Sequence, residues 1–264
     1  RDRCGIACAI PGCFLVLRRM SMLGDAISHS VLPGIAIAFY FSGSRDILPM
    51  LLGAGAAGLL AAVLSTGLKR WGNVPEDASL GIVFTSMFAL GVILIGFMAG
   101  EGEVDLDPGC VLYGIIEKTP LDVTNIFGVS MPRVVRTIVI TLGVTLLLLG
   151  LFYKEIKLVS FDAPLAASMG FAVAAVNYGL MAVVAGTTVA CFEAVGSILV
   201  VSMLIAPGAA AHLLTDRLPR MLLIASVLAV TAAVIGYQLA SAMNTSTAGM
   251  MSVVAGVQFA LAVV

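Results

Sequence analysis

The stretch MSMLGDAISHSVLPGIAIAFYFS, residues 20–42, is long and apolar enough to cross a bilayer as one helix. Within it Asp25 and His29 are four residues apart, a spacing that places both on one face of a helix. Ionisable groups inside a membrane span are costly, and their usual place is a pathway or binding site facing the protein interior. A carboxylate oxygen and a neutral imidazole nitrogen together suit borderline divalent metals. Pro33 lacks the amide hydrogen that would bond the carbonyl of His29, so that oxygen is left spare beside the pair.

The rest of the chain has the same apolar character. Of its 264 residues, 60% are hydrophobic and 11% are charged, whereas an average globular protein carries about 25% charged residues. The mean hydropathy is +1.11. This composition predicts an all-α, polytopic membrane helix bundle. The net charge of −1 offers no basic face for nucleic acid, so nucleic-acid binding is excluded as a function.

Apolar runs separated by charged or turn-rich segments predict about eight or nine membrane spans. They lie near residues 4–17, 20–42, 47–68, 78–99, 133–153, 171–190, 195–214, 221–240 and 249–264. The first run is short for a full span, so we expect the natural N-terminus to lie further upstream. We treat residues 1–264 as a single transmembrane domain of a multi-pass protein.

Basic clusters follow every second predicted span and give the orientation of the chain. They are Arg18-Arg19, Lys69-Arg70, Lys154 with Lys157, and Arg217 with Arg220. All four therefore fall on one side of the membrane, which the positive-inside rule identifies as the cytoplasm.

Two connecting segments carry their own signals. The external loop, residues 100–131, is acidic and is either a solvated loop or a docking surface that attracts cations; its acids include Glu101, Glu103, Asp105 and Asp107. The cytoplasmic segment 160–170 has the pattern of a short capped helix, with Asp162 as N-cap, Pro164 in the first turn and Gly170 in the left-handed position that ends it. An ordinary turn and a helix that docks a partner are both open interpretations of this segment.

Several motifs in order along the chain resemble the integral-membrane permeases of manganese/zinc/iron-type ABC uptake transporters. The resemblance covers nearly the whole sequence. It rests on residues 17–34, 76–82, 105–114, 161–170, 193–210 and 245–251, which include GDAISHSVLPG and LDPGCVLYG.

The resemblance implies a permease of the bacterial cytoplasmic membrane that pairs with a second copy or a related permease. It would receive a divalent metal from an extracytoplasmic binding protein and be driven by a separate ATPase. The chain is therefore expected not to be an enzyme, and it contains no G-x-x-x-x-G-K-[ST] phosphate loop. No permanently bound cofactor is expected, and the transported metal is Mn²⁺ in preference to Zn²⁺ or Fe²⁺.

The same resemblance assigns roles to particular residues. Asp25 and His29 become the metal-contacting pair of the pathway, and Glu193, at an outer turn, is the next candidate. The segment 162–170 becomes the coupling helix on the ATPase, through Asp162, Pro164, Ala166 and Gly170, and the acidic loop faces the binding protein. The substitutions Ala166→Glu and Gly170→Val are then expected to spare the fold and to uncouple ATP hydrolysis from transport.

Two other functions fit part of the pattern. An ion-coupled secondary transporter could use Asp25 and His29 as a proton relay, but it would have no ATPase to receive a capped cytoplasmic helix. An ABC importer of a metal chelate would be expected to lack a metal-ligating pair in its pathway. Elsewhere, His212 is expected at the membrane interface, and Pro207 indicates that its span packs inside the bundle.

Overall fold

The computed structural model describes residues 2–18, 20–42, 47–100, 123–126 and 129–263. Within these ranges the chain is a bundle of helices with one small hairpin. The helices are α1 Asp2–Leu17, α2 Ser21–Ser42, α3 Ile47–Gly72, α4 Glu76–Gly100, α5 Arg133–Leu151, α6 Tyr153–Phe161, α7 Ala163–Ser168, α8 Val173–Val195, α9 Ser197–Leu214, α10 Leu218–Met243 and α11 Thr247–Val263; the strands are β1 Val123–Ile126 and β2 Val129–Pro132.

The all-α membrane bundle predicted from the sequence is confirmed, since an apolar helix lies in each of the nine predicted spans. Four helical stretches in the described part of the chain are long and apolar enough to cross a membrane alone: Leu52–Gly72, Asp77–Met98, Val173–Phe192 and Leu218–Met243. Ile138–Leu151 and Tyr153–Phe161 pass the same test only as a pair bent by 70°. Shorter apolar helices are Cys4–Leu17, His29–Ser42, Ile198–Leu214 and Thr247–Val263.

The centre of the bundle is formed by α1, α9, α10 and α11. Gly12 of α1 lies directly on the backbone of Leu204 in α9, and a β-carbon at Gly236 of α10 would overlap Met251 of α11. Small residues at helix crossings allow such close approach in a membrane, where packing replaces the hydrophobic effect as the driving force. Because α9 holds Pro207 and buries Leu204 completely, the expectation that this span packs inside the bundle is confirmed.

The region after α5 contains one helix that the apolar pattern did not predict. The chain turns by 70° after Leu151, and α6 buries Ile156 and Val159 against the bundle. Charged residues interrupt the apolar run here, so the sequence indicated the end of a span and not a second helix. Before α5, β1 and β2 pair antiparallel, with Val123 opposite Pro132, so the hairpin ends one residue beyond the predicted loop of 100–131.

Candidate functional site

The Asp25–His29 pair lies on one helix, as its spacing predicts. Asp25 is in the second turn of α2, four residues before His29, so both positions share a face of that helix. The imidazole of His29 is half-buried between α2 and α4. Its ring centroid lies 5.7 Å from that of Phe84, in a tilted arrangement, and 5.4 Å from that of Phe88, edge to face.

The two phenylalanines are site residues that the sequence reading missed. They are one helical turn apart on α4 and present one aromatic face to His29. Edge-to-face and offset contacts between rings are favourable by about 0.5–1.5 kcal/mol beyond the area that they bury. They therefore restrict the imidazole to a narrow range of orientations. The i,i+4 aromatic spacing was a signal in the sequence, but nothing local linked it to α2.

Beyond His29, the backbone of α2 packs closely against α3 and α4 at glycine residues. A β-carbon at Gly34 would overlap the carbonyl oxygen of Gly53 on α3, and one at Gly91 of α4 would lie 2.9 Å from the ring nitrogen of Pro33. Contacts of this kind fix the helix axis at the turn that carries Pro33, whose ring nitrogen has no hydrogen to donate to the carbonyl of His29. The carbonyl oxygen of His29 is thus held on the same turn as the imidazole.

The first turns of α2 pack on a different helix. A β-carbon at Gly24 would overlap the side chain of Leu204 in α9. Leu204 follows Met203. Pro207, four residues after Met203, has no amide hydrogen to donate to the Met203 carbonyl. The turn that carries Asp25 therefore lies beside α9, a second helix with a proline inside it.

Glu193 and His212 occupy the ends of helices. Glu193 is in the last turn of α8, three residues before Gly196. Gly196 has a φ of 79°, which ends α8 before α9 begins. Glycine suits that position because other residues rarely adopt a positive φ. His212 is exposed in the last turn of α9, as expected for a side chain at the interface.

Among the side chains that the structure describes, no group of three His, Cys, Asp or Glu residues could hold a metal ion. His29 of α2 carries an imidazole nitrogen, and its carbonyl oxygen lies on the same turn. The arrangement offers nitrogen and oxygen without a thiolate, a donor set that binds a range of divalent metals.

The predicted capped helix is present as α7. The carboxylate of Asp162 accepts a hydrogen bond of 2.9 Å from the amide of Leu165, and Pro164 lies in the first turn. At the other end Gly170 has a φ of 85°, its amide bonds the carbonyl of Ala167, and the amide of Phe171 bonds the carbonyl of Ala166, both at 3.1 Å. These two bonds form a Schellman motif, so both ends of the short helix are fixed.

Ala166 and Gly170 do not suit the substitutions that the sequence suggested. Ala166 is completely buried, so a glutamate there would place a charge inside the protein. Gly170 has the positive φ of the left-handed backbone conformation, which a valine would adopt only with strain. The expectation that Ala166→Glu and Gly170→Val spare the fold is therefore wrong. The exposed residues of α7 are Pro164, Leu165, Ala167 and Ser168, with Met169 beyond its end.

The acidic docking residues predicted in the external loop, Glu101, Glu103, Asp105 and Asp107, lie outside the described residues.

Residues 3–264 match the family described as the ABC 3 transport family. The chain is 43% identical over 259 residues to the manganese transport system membrane protein MntD of Bacillus subtilis, covering 98% of this chain and 87% of that protein. It is 45% identical over 256 residues to the zinc transport system membrane protein TroD of Treponema pallidum, covering 97% and 69%. The structure of PsaBC from Streptococcus pneumoniae in complex with Fab superimposes with a TM-score of 0.83 at 33% identity, over 100% of this chain and 88% of that one. The chain therefore belongs to the ABC 3 transport family.

Proposed function

We propose that this chain is the permease subunit of an ATP-driven importer that moves a divalent metal across the bacterial cytoplasmic membrane. The observation that carries the proposal is the pairing of Asp25 and His29 on one face of α2, with the imidazole held inside the bundle. The names of the similar proteins, a manganese and a zinc transport system membrane protein, support a metal as the cargo. We favour Mn²⁺, with Zn²⁺ and Fe²⁺ as further substrates.

Transport by such a chain requires partners. ATP is hydrolysed by a separate cytoplasmic subunit, and the metal arrives on an extracytoplasmic binding protein. A second copy of this chain or a related permease completes the pathway, which is consistent with the likeness to PsaBC. Asp25 and His29 do not fill a metal coordination shell, so further donors come from water, from Glu193 or from the partner permease. Brief and incomplete coordination suits a metal in transit.

The coupling helix is α7, which carries movement between the ATPase and the bundle. Its capped ends and its fully buried Ala166 hold it rigidly, while Leu165 and Met169 are exposed and apolar. Asp162, Pro164 and Gly170 act by shaping this helix. At the other side of the membrane, the acidic segment with Glu101, Glu103, Asp105 and Asp107 receives the binding protein.

An ion-coupled secondary carrier is not favoured, because the chain belongs to an ABC transport family over almost its full length. An importer of a large metal chelate is less well supported than an importer of the bare ion. Such a cargo brings its own ligands, and it would gain nothing from a carboxylate and an imidazole on the pathway.

The proposal is tested by metal uptake in a strain that depends on this permease. We expect Asp25→Asn and His29→Ala each to reduce accumulation of Mn²⁺ to near that of a strain without the permease, because each removes a donor from a site that has few. Accumulation is measured by elemental analysis at matched amounts of permease in the membrane.

The chain offers a matched control for each substitution. His212 is exposed at the end of α9 and Asp216 is exposed just beyond it, so His212→Ala and Asp216→Asn should leave uptake unchanged. Near-normal uptake in both α2 variants would contradict the pathway and give the pair a packing role.

A further inference from the structure

A second feature of the bundle is an apolar groove between α1, α5 and α10, which we call the α1–α5–α10 groove. Its cavity volume is about 300 Å³, at the lower end of the range for small-ligand sites. Its lining includes Ile10, Phe14, Gly150, Tyr153, Leu222 and Leu223. The surface there is apolar apart from Tyr153 and Ser226, and it lies in the part of the bundle where α1 ends and α10 begins.

Three basic stretches meet at the end of this groove. Arg18 is one helical turn beyond Phe14, Lys154 and Lys157 follow Tyr153 on α6, and Arg217 and Arg220 flank Pro219, which also lines the groove. We call these five residues the basic collar. Four of them are exposed and Arg18 is half-buried.

The collar carries excess positive charge. The acids within the same stretches are Glu155 and Asp216, so three positive charges remain in excess. None of the five bases forms an ion pair with another side chain in the described part of the chain. An apolar groove that ends in uncompensated cations at the membrane surface is complementary to a molecule with an apolar tail and an anionic head.

We propose that the α1–α5–α10 groove binds one anionic phospholipid of the cytoplasmic leaflet. An acyl chain lies in the groove against Phe14 and Leu223, and the phosphate contacts the basic collar. Basic pockets between helices on this side of a membrane are typical sites for anionic head groups, and Tyr153 has the amphipathic ring that favours the head-group level. The apolar residues of a transmembrane helix could fill the same groove, but they would supply no anion to the collar.

This binding does not depend on metal transport, so it can fail or succeed separately from the proposed function. The permease has one tryptophan in this sequence, Trp71, which allows a reporter to be moved. In a Trp71→Phe background, Leu223→Trp places a fluorophore in the groove and Leu147→Trp places one on the outer face of α5. Leu223 and Leu147 are both 68% exposed, and each lies about one turn from the end of its helix.

The reporters are compared in the whole permease, reconstituted in phosphatidylcholine with a low fraction of brominated lipid. Quenching of the tryptophan at 223 by brominated phosphatidylglycerol should correspond to a local lipid fraction at least ~5-fold above the bulk fraction. This ratio is expected from one basic residue near an anionic lipid. The tryptophan at 147 should report bulk composition. Brominated phosphatidylcholine should quench both equally, and added salt should reduce the enrichment.

Two pairs of variants separate a site from general adsorption. Lys154→Gln with Lys157→Gln should reduce the enrichment, whereas Lys69→Gln with Arg70→Gln, at the end of α3, should not. Gly150→Leu should fill the groove and displace the lipid, whereas Gly143→Leu on the same helix should not; a β-carbon at either glycine has open space. Equal quenching of both reporters by both lipids, or an enrichment unchanged by the Lys154/Lys157 substitutions, would overturn the proposal.

Discussion

Gly34 and Gly53 bring the backbones of α2 and α3 into direct contact one residue beyond Pro33. No other residue type fits at either position without displacing a helix, because the obstacle is main chain and not a flexible side chain. The crossing therefore sets the position of α2 against its neighbours. Since His29 is one turn earlier on α2, its distance from Phe84 and Phe88 depends on this crossing.

The glycine contact can be tested on α3 itself. Gly53→Ala should lower the free energy of unfolding by about 1–3 kcal/mol, because the new methyl group meets Ala38 and the backbone of Gly34. Gly55→Ala, two residues along the same helix, meets nothing within 4 Å and should be neutral or stabilising by about 0.5–1 kcal/mol through reduced backbone freedom. Thermal unfolding of the two variants in the same detergent measures the difference. Equal stabilities would mean that the helices separate without cost.

Residue spacing alone was enough to find the pair on α2, because an i,i+4 relation is local and survives in the folded chain. The aromatic setting of His29 was not available in the same way. His29 and Phe88 are far apart in the sequence, and their contact depends on how α2 crosses α4. Likewise, Ala166 was expected among the residues that face a partner, but only the packing of α7 shows that it is completely buried.

At the scale of elements, the sequence predicted the membrane spans well but did not predict the short amphipathic helix α6. The apolar runs are long and sharply bounded, so nine helices were located from hydropathy. The nine-residue helix α6 was missed because Lys154, Glu155 and Lys157 interrupt its two buried positions, Ile156 and Val159. In contrast, α7 was found because its cap residues have specific positions and do not depend on an apolar face.

The exposed face of α7 provides a sharper test of coupling than its buried or strained residues. Leu165→Glu should leave the permease folded, because Leu165 is 47% exposed. It should reduce ATPase stimulation in reconstituted vesicles about tenfold or more, since a charge in an apolar contact remains unpaired. Leu214→Glu, at a residue 55% exposed at the end of α9, is the control and should retain stimulation. Unchanged stimulation in the Leu165 variant would make α7 an ordinary turn between spans.

At the scale of the whole molecule, the bundle has two groups of helices that meet at α2 and α8. The first group forms the buried centre and consists of α1, α9, α10 and α11. The second group consists of α3 and α4, which pack against α2 beyond Pro33. Asp25 lies on the turn next to α9, whereas His29 faces α4. A relative movement of the two groups would therefore change the geometry around the pair, which is what a pathway that opens to alternate sides requires.

The donor types of the proposed Asp25–His29 site also bear on which metal enters. Mixed oxygen and nitrogen donors without a thiolate bind Zn²⁺ more tightly than Mn²⁺ at nearly any such site, so the permease should discriminate poorly and the binding protein should choose the cargo. Exchanging the binding protein for one of different metal preference, with this chain unchanged, should change the metal that accumulates in cells. Elemental analysis after growth in equal Mn²⁺ and Zn²⁺ measures the ratio. The opposite result would be a ratio that does not change when the binding protein is exchanged but does change with His29→Gln or Asp25→Glu. Selectivity would then reside in α2, and the pair would be a selective metal site.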